Sequence, residues 1–243
     1  MAGKKTDEEL VAQLLATAES SNHPEEAKLA RERAERLMVK LGITDAVARA
    51  RGTRTREEVV QLTVCFDGTY RVGLLHMAVP IARGVGCRSL RSHAGASELL
   101  YVVGFTSDAS RAVQLINSLA TQASRDMWLW WRGGGHAIPA SAGAKARQSF
   151  LLGFGHEAGE RLRQAAVDTV AELGQGTDLV LADRSREVDA HIAQYRIARG
   201  RRMTASREGL VAGAAAARRV DLSAGRDRRL GATTAERVMV GTP

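Results

Sequence analysis

Lysine is almost missing from this chain: Lys4, Lys5, Lys28, Lys40 and Lys145 are all there are among 243 residues. Arginine, alanine and glycine are abundant instead, as GC-rich codon usage produces. The choice of arginine over lysine is therefore weak evidence for bidentate phosphate recognition. Aromatic residues make up only 4%, so the core has to be built mainly from Leu, Val and Ala. Cysteine is limited to Cys65 and Cys87, in separate apolar segments and without CxxC spacing. That excludes a cysteine zinc knuckle and points to reduced, buried thiols in a cytosolic protein, with a structural disulfide as the alternative. No apolar stretch approaches the roughly 20 residues that span a bilayer. The opening MAGKKTDEEL has no apolar stretch of the secretory kind. A soluble, cytoplasmic protein without membrane contact is expected.

What is present is charge, gathered in one place. The chain is +8 overall, yet residues 196–243 hold eleven arginines against four acids, which leaves about +1 on everything before them. Codon bias would spread arginine evenly, so its position is more informative than its identity. A near-neutral body with a basic, Gly- and Ala-rich tail reads as a folded unit plus an electrostatic arm, with polyanions as the natural partner class. Three clusters separated by small residues stand out: Arg199, Arg201 and Arg202; Arg218 and Arg219; Arg226, Arg228 and Arg229. Such spacing suits an arm that tracks phosphates, each contact adding salt-dependent, sequence-independent affinity. The competing reading is a solvated tail with no dedicated target. Leu210 to Ala217 is a candidate for a short helix within it.

The body reads as α+β: a helical hairpin, then a small, mainly antiparallel sheet covered by long helices. Thr6 followed by Asp7, Glu8 and Glu9 forms a capping-box pattern. Leu10, Val11, Leu14, Leu15 and Ala18 then share one helical face. Pro24 opens a second helix, whose stripe of Ala27, Ala30, Ala34, Leu37, Met38 and Leu41 ends at Gly42; Thr44 to Arg51 suggests a short third helix. Such a hairpin cannot bury its stripe alone. The polar run Gly52 to Glu58 reads as a linker, after which Val59 to Phe66 switches to the period and β-branched residues of a strand, closed by Asp67-Gly68.

Further on, Tyr70 to Val85 reads as a helix kinked or split at Pro80. Cys87 to Arg91 and Leu99 to Phe105 read as paired strands around the loop Ser92 to Ser97. Ser107-Asp108 is expected to cap a long helix reaching Trp131, and a second long helix is expected from about Ala144 to Leu173. Leu179 to Leu181 suggests one more short strand, and Ser185 to Arg199 a helix. The expected units are thus a helical hairpin over 1–51, an α+β domain over 58–198 and a basic tail over 199–243.

Three stretches, LLATAESSNHPEEAKLARERAERLMVKLGI, ELLYVVGFTSDASRAVQLINSLATQA and RQSFLLGFGHEAGERLRQA, resemble a family found in actinobacteria and their phages and plasmids. That family pairs an N-terminal helical hairpin with a C-terminal α+β domain, both of unknown function. The resemblance covers about Leu10 to Ala182. It implies architecture and a bacterial or phage setting; it brings no activity, ligand or catalytic residue.

Trp128, Trp130 and Trp131, followed by Arg132, hold all of the tryptophan. On a helix these positions cannot all face one core, so the run is a candidate stacking platform for single-stranded nucleic acid, an anchor for a protein interface, or a cap on the core. His156 and Glu160 lie four apart with Glu157 between them, an incomplete imitation of the zincin motif, since a glutamate stands where the second histidine belongs. A second echo, Leu74 to Pro80, lacks both the glutamate and the second histidine, so His76 is expected to be a hydrogen-bonded core residue. Gly133-Gly134-Gly135 follows no strand, and neither GK[ST] nor GxGxxG is present, so a phosphate loop is unsupported; no nucleophile elbow places a serine. No catalytic residue, cofactor or metal ligand is assigned.

The leading expectation is a non-enzymatic bacterial or phage protein. Its hairpin would serve partner or self-association, and its tail would bind nucleic acid without sequence specificity. The alternatives are a structural or assembly adaptor that uses hairpin and tail for protein contacts, and a metal-dependent hydrolase acting through His156 and Glu160.

Overall fold

The first helix begins where the capping box puts it. The computed structural model describes residues 6–21, 23–134, 137–196 and 204–218. Helix α1 (Asp7–Ser20) opens with Glu9 N donating to Thr6 Oγ1 at 3.3 Å, while Thr6 N donates to the Glu9 carboxylate at 2.9 Å. Helix α2 (Pro24–Ala50) starts at its proline but runs straight through Gly42. The expected stop and separate third helix do not form. Ile43 and Ala46 continue the buried stripe beyond the glycine, and the Arg111 guanidinium lies where a Cβ on Gly42 would need space. Burial here outweighs the roughly 1 kcal/mol helix penalty of a glycine.

Strand β1 (Val59–Phe66) occupies the expected residues. Helix α3 (Arg71–Gly84) contains Pro80 without interruption. Strands β2 (Arg88–Ala94) and β3 (Ser97–Phe105) meet at a two-residue turn, tighter than the expected loop. Gly95 takes φ +63° there, the first position of a primed turn whose twist suits a hairpin. The sheet is antiparallel in the order β1-β3-β2, with Cys65 opposite Leu99 and Leu90 opposite Tyr101. Both cysteines are free, and burial pushes the Cys87 thiol up.

Alternation along β3 sends its two faces to different cores. Leu100 and Val102 join Met77 and Ile81 of α3 in the main core. Val103 and Phe105 pack instead with Val188 and Ile192 of a later helix, α6 (Thr177–Ile192). The residues read as a short strand, Leu179 to Leu181, form the opening of α6. Leu179 is exposed and Leu181 packs against the main core, while Val188 faces the second one.

Helix α4 (Thr106–Arg132) has no side-chain cap from Ser107 or Asp108. The carboxylate of Glu57 does that work from outside the helix, accepting from Ser107 N at 3.1 Å and from its hydroxyl at 3.0 Å. Helix α5 (Ala140–Leu173) is the axis of the molecule. Its Phe150, Leu151, Phe154 and Leu162 are fully buried, in one core with Val11 and Leu15 of α1, Met38 of α2 and Leu115, Ile116 and Leu119 of α4. The hairpin therefore spends its stripe inside the molecule. Glu35 of α2, itself buried, holds Arg161 of α5 in a two-pronged pair at 3.0 and 3.2 Å.

The segment read as a linker, Gly52 to Glu58, is tied down by a chain of ion pairs that alternates in sign. Arg49 pairs with Glu57 at 3.1 Å and Glu57 with Arg184 at 3.4 Å. Arg184 reaches Asp108 at 2.6 Å, and Asp108 holds Arg111 at 3.0 Å. Arg111 then bonds Asp45 at 2.8 Å, which holds Arg54 at 2.6 Å. Burial pushes the Asp108 carboxyl up, and the charges of Arg184 and Arg111 pull it back. Helix α2, the segment Gly52 to Glu58, α4 and α6 are all joined by this chain.

Candidate nucleic-acid interface

Of the eight arginines singled out in the tail, Arg218 alone lies within the described residues; Arg199, Arg201, Arg202, Arg219, Arg226, Arg228 and Arg229 lie outside them. Between the first two clusters the chain forms α7 (Arg207–Arg218), which docks along α5. Its buried positions are Gly209, Gly213 and Ala217, four apart and so on one face. A Cβ on Gly209 would fall on the carbonyl of Ala146, one on Gly213 on that of Phe150, and one on Gly153 of α5 on that of Leu210. Only hydrogen atoms fit between these backbones.

Polar contacts fix both ends of α7. Ser206 N donates to Ser149 Oγ at 2.8 Å before the first turn, and Arg161 donates to the Ala217 carbonyl in the last. Arg218 remains 67% exposed and pairs with Glu157 of α5 at 2.7 Å. Helices α7 and α5 thus run in the same direction, and the chain leaves α7 on the Glu157 side.

The three tryptophans divide. Trp130 turns inward and stacks on Phe150, with centroids 5.3 Å apart and planes at 26°. Trp128 and Trp131, three residues apart, share the other side with Tyr70 of the α3 approach. There the Arg147 guanidinium lies 4.2 Å from the Trp131 ring centre, 5.7 Å from Trp128 and 5.6 Å from Tyr70. Tyr70 meets Trp128 edge-on at 5.9 Å. The charge over three ring faces is a cation–π arrangement. It leaves Trp128, 36% exposed, as the ring most open to a stacking partner, with exposed Leu129 and Arg132 beside it. Arg147 lies early in α5, and α7 sets its first turn on the neighbouring Ala146 and Ser149. One corner of the molecule is therefore both basic and aromatic.

His156 is exposed on α5, but the carboxylates near it are engaged: Glu157 by Arg218, and Glu160 by Arg163 at 2.9 Å, which holds the Glu160 carboxyl below its ordinary value. Among the described residues, no three His, Cys, Asp or Glu side chains come together to hold a metal ion. His76 sits half-buried at the edge of the core. Arg91 approaches its Nδ1 at 3.3 Å, and burial, with that charge second, holds the imidazole below its usual range.

In comparisons with known proteins, no family model matches the chain, and no curated protein or solved structure matches it either. Arg147 and Tyr70, far from the tryptophans in sequence, carried no sequence signal. Gly209, Gly213 and Ala217 did carry one, as small residues at helical spacing inside an otherwise basic tail.

Proposed function

We propose that this protein binds nucleic acid without sequence specificity, through arginines before and after α7. The observation that carries the reading is the +7 held by residues 196–243 against about +1 for the rest of the chain. The docking of α7 supports it, because a tail anchored through backbone contact delivers its charges from a fixed point rather than from a free end. The corner of Trp128, Trp131 and Arg147 adds a stacking surface of the kind that favours single strands. A bacterial or phage setting fits the resemblance in sequence.

The test compares the full chain with one ending at Arg218, binding labelled single- and double-stranded DNA across a salt series. Each engaged phosphate contributes about 0.9 to the slope of log affinity against log salt on duplex, and about 0.7 on single strands. Loss of Arg219, Arg226, Arg228 and Arg229 is expected to lower the duplex slope by about 3 to 4. Equal slopes for the two chains would reject the reading. An adaptor role is the second reading, favoured by the exposed apolar side chains Leu29, Val167, Leu179 and Val211. It predicts a defined oligomer by light scattering and no dependence on nucleic acid.

A further inference from the structure

The alternating ion-pair chain has an arginine at each end. It holds four cations, Arg49, Arg184, Arg111 and Arg54, against three anions, Glu57, Asp108 and Asp45. Both terminal arginines line one shallow, open cleft, together with Gly52, Thr53 and Thr55. Two nitrogens of Arg49, Nε and Nη1, are shielded from water and have no acceptor among the described residues. Buried donors without a partner are costly, and those of a guanidinium especially so.

The loop is built to face this cleft. It reads Arg49-Ala50-Arg51-Gly52-Thr53-Arg54-Thr55-Arg56. Gly52 takes φ +74°, a left-handed turn, and Thr53 folds back so that its N and Oγ1 both donate to the Ala48 carbonyl, at 2.9 and 2.7 Å. The reversal sets Arg54 and Thr55 opposite the last turn of α2. Arg54 keeps 56% of its side chain exposed while its Nη1 bonds Asp45. Arg51 is exposed, and Arg56, 87% exposed, pairs with Glu187 at 3.5 Å.

We propose that the cleft beside Arg54 binds a phosphate-type oxyanion, whose charge balances the excess of four cations over three anions in the chain. Arg54 and the Thr55 hydroxyl hold the anion, and Arg49 behind them contributes its charge. The phosphate belongs either to a nucleic-acid backbone crossing the loop or to a small phosphorylated molecule. In the first case the site is a body-borne contact that extends the function proposed above and rests on it; in the second it stands alone.

Calorimetric titration of the full chain with inorganic phosphate, at constant ionic strength set with chloride, tests the site itself. One saturable site per chain is expected, weakened about tenfold in Arg54→Gln and measurably in Thr55→Val, whose fold is not at stake because the side chain is exposed. No saturable phosphate binding, or binding indifferent to both substitutions, would overturn the proposal. A second arm repeats the salt series with a single-stranded oligonucleotide. A backbone phosphate in the cleft predicts competition by inorganic phosphate and a slope lower by about 0.7 in Arg54→Gln; a small phosphorylated ligand predicts an unchanged slope. Phosphate binding in the first arm is read without any nucleic acid, so failure of the tail to bind DNA leaves it intact.

Discussion

Burial on α4 pushes the Asp126 carboxyl up to about 6, against the opposing pull of Arg31 and then Arg125. Arg31 is itself buried on α2, with no partner for its Nε among the described residues. The folded state therefore keeps a proton on Asp126 that the unfolded chain has released, through the window from about pH 4 to about pH 6. Stability contributed by this group falls as pH rises through that window and is level above it. A carboxyl raised across that window loses roughly 3 kcal/mol, and partial solvent access reduces this to on the order of 1–2 kcal/mol. Asp126→Asn cannot ionise, so its stability relative to the native chain is expected to rise by that amount between pH 4.5 and 6.5. Urea denaturation at both values measures it, and a difference that stays flat would show that Asp126 ionises freely in the fold. Nothing in the sequence around Asp126 marks it; only the approach of α2 to α4 creates its environment.

Helix α7 depends on absent side chains. Its large apolar residues are few, and its seat on α5 rests on Gly209, Gly213 and Gly153, where backbones touch. Gly213→Leu places a branched side chain on the Phe150 carbonyl, an overpacking that costs about 1–3 kcal/mol where neighbours can shift and more where they are backbone. We expect this variant to release α7 while the rest stays folded, because the main core draws little from α7 beyond Ala217. Limited trypsin digestion is then expected to cut at Arg207 faster than in the native chain. Continued protection at Arg207 in the variant would mean that α7 docks by other means. The same argument by element explains α2: Gly42 ends a helix in isolation, yet the helix continues because Ile43 and Ala46 have a core to enter.

At the scale of the whole molecule, hairpin and body share one core that runs from Val11 and Leu15 through Met38 to Phe150 and Leu162. The ion-pair chain from Arg49 to Arg54 joins them a second time across the supposed linker. Unfolding is therefore expected to be a single transition. Far-UV circular dichroism, which reads all helices, and fluorescence of Trp128, Trp130 and Trp131, which reads the α4–α5 corner, should give the same midpoint in urea. Separate midpoints would show the hairpin to be an independent unit.

What the sequence determined by itself is local in cause. A capping box placed α1, β-branched alternation placed β1, and the apolar periods of α4 and α5 placed the long helices, since hydrogen bonding within a segment and the spacing of its side chains need no distant partner. The concentration of arginine after residue 196 is likewise plain in the sequence. What only the tertiary structure decided depends on groups far apart in the chain: Trp130 on Phe150 but Trp131 under Arg147, Leu179 in a helix rather than a strand, and Glu57 capping α4 in place of Ser107. The cleft between Arg49 and Arg54 belongs here too. Its open end is set by a run of charges drawn from α2, the loop, α4 and α6, and Coulomb pairing of that kind is decided by distance in space, which no spacing along the chain reveals.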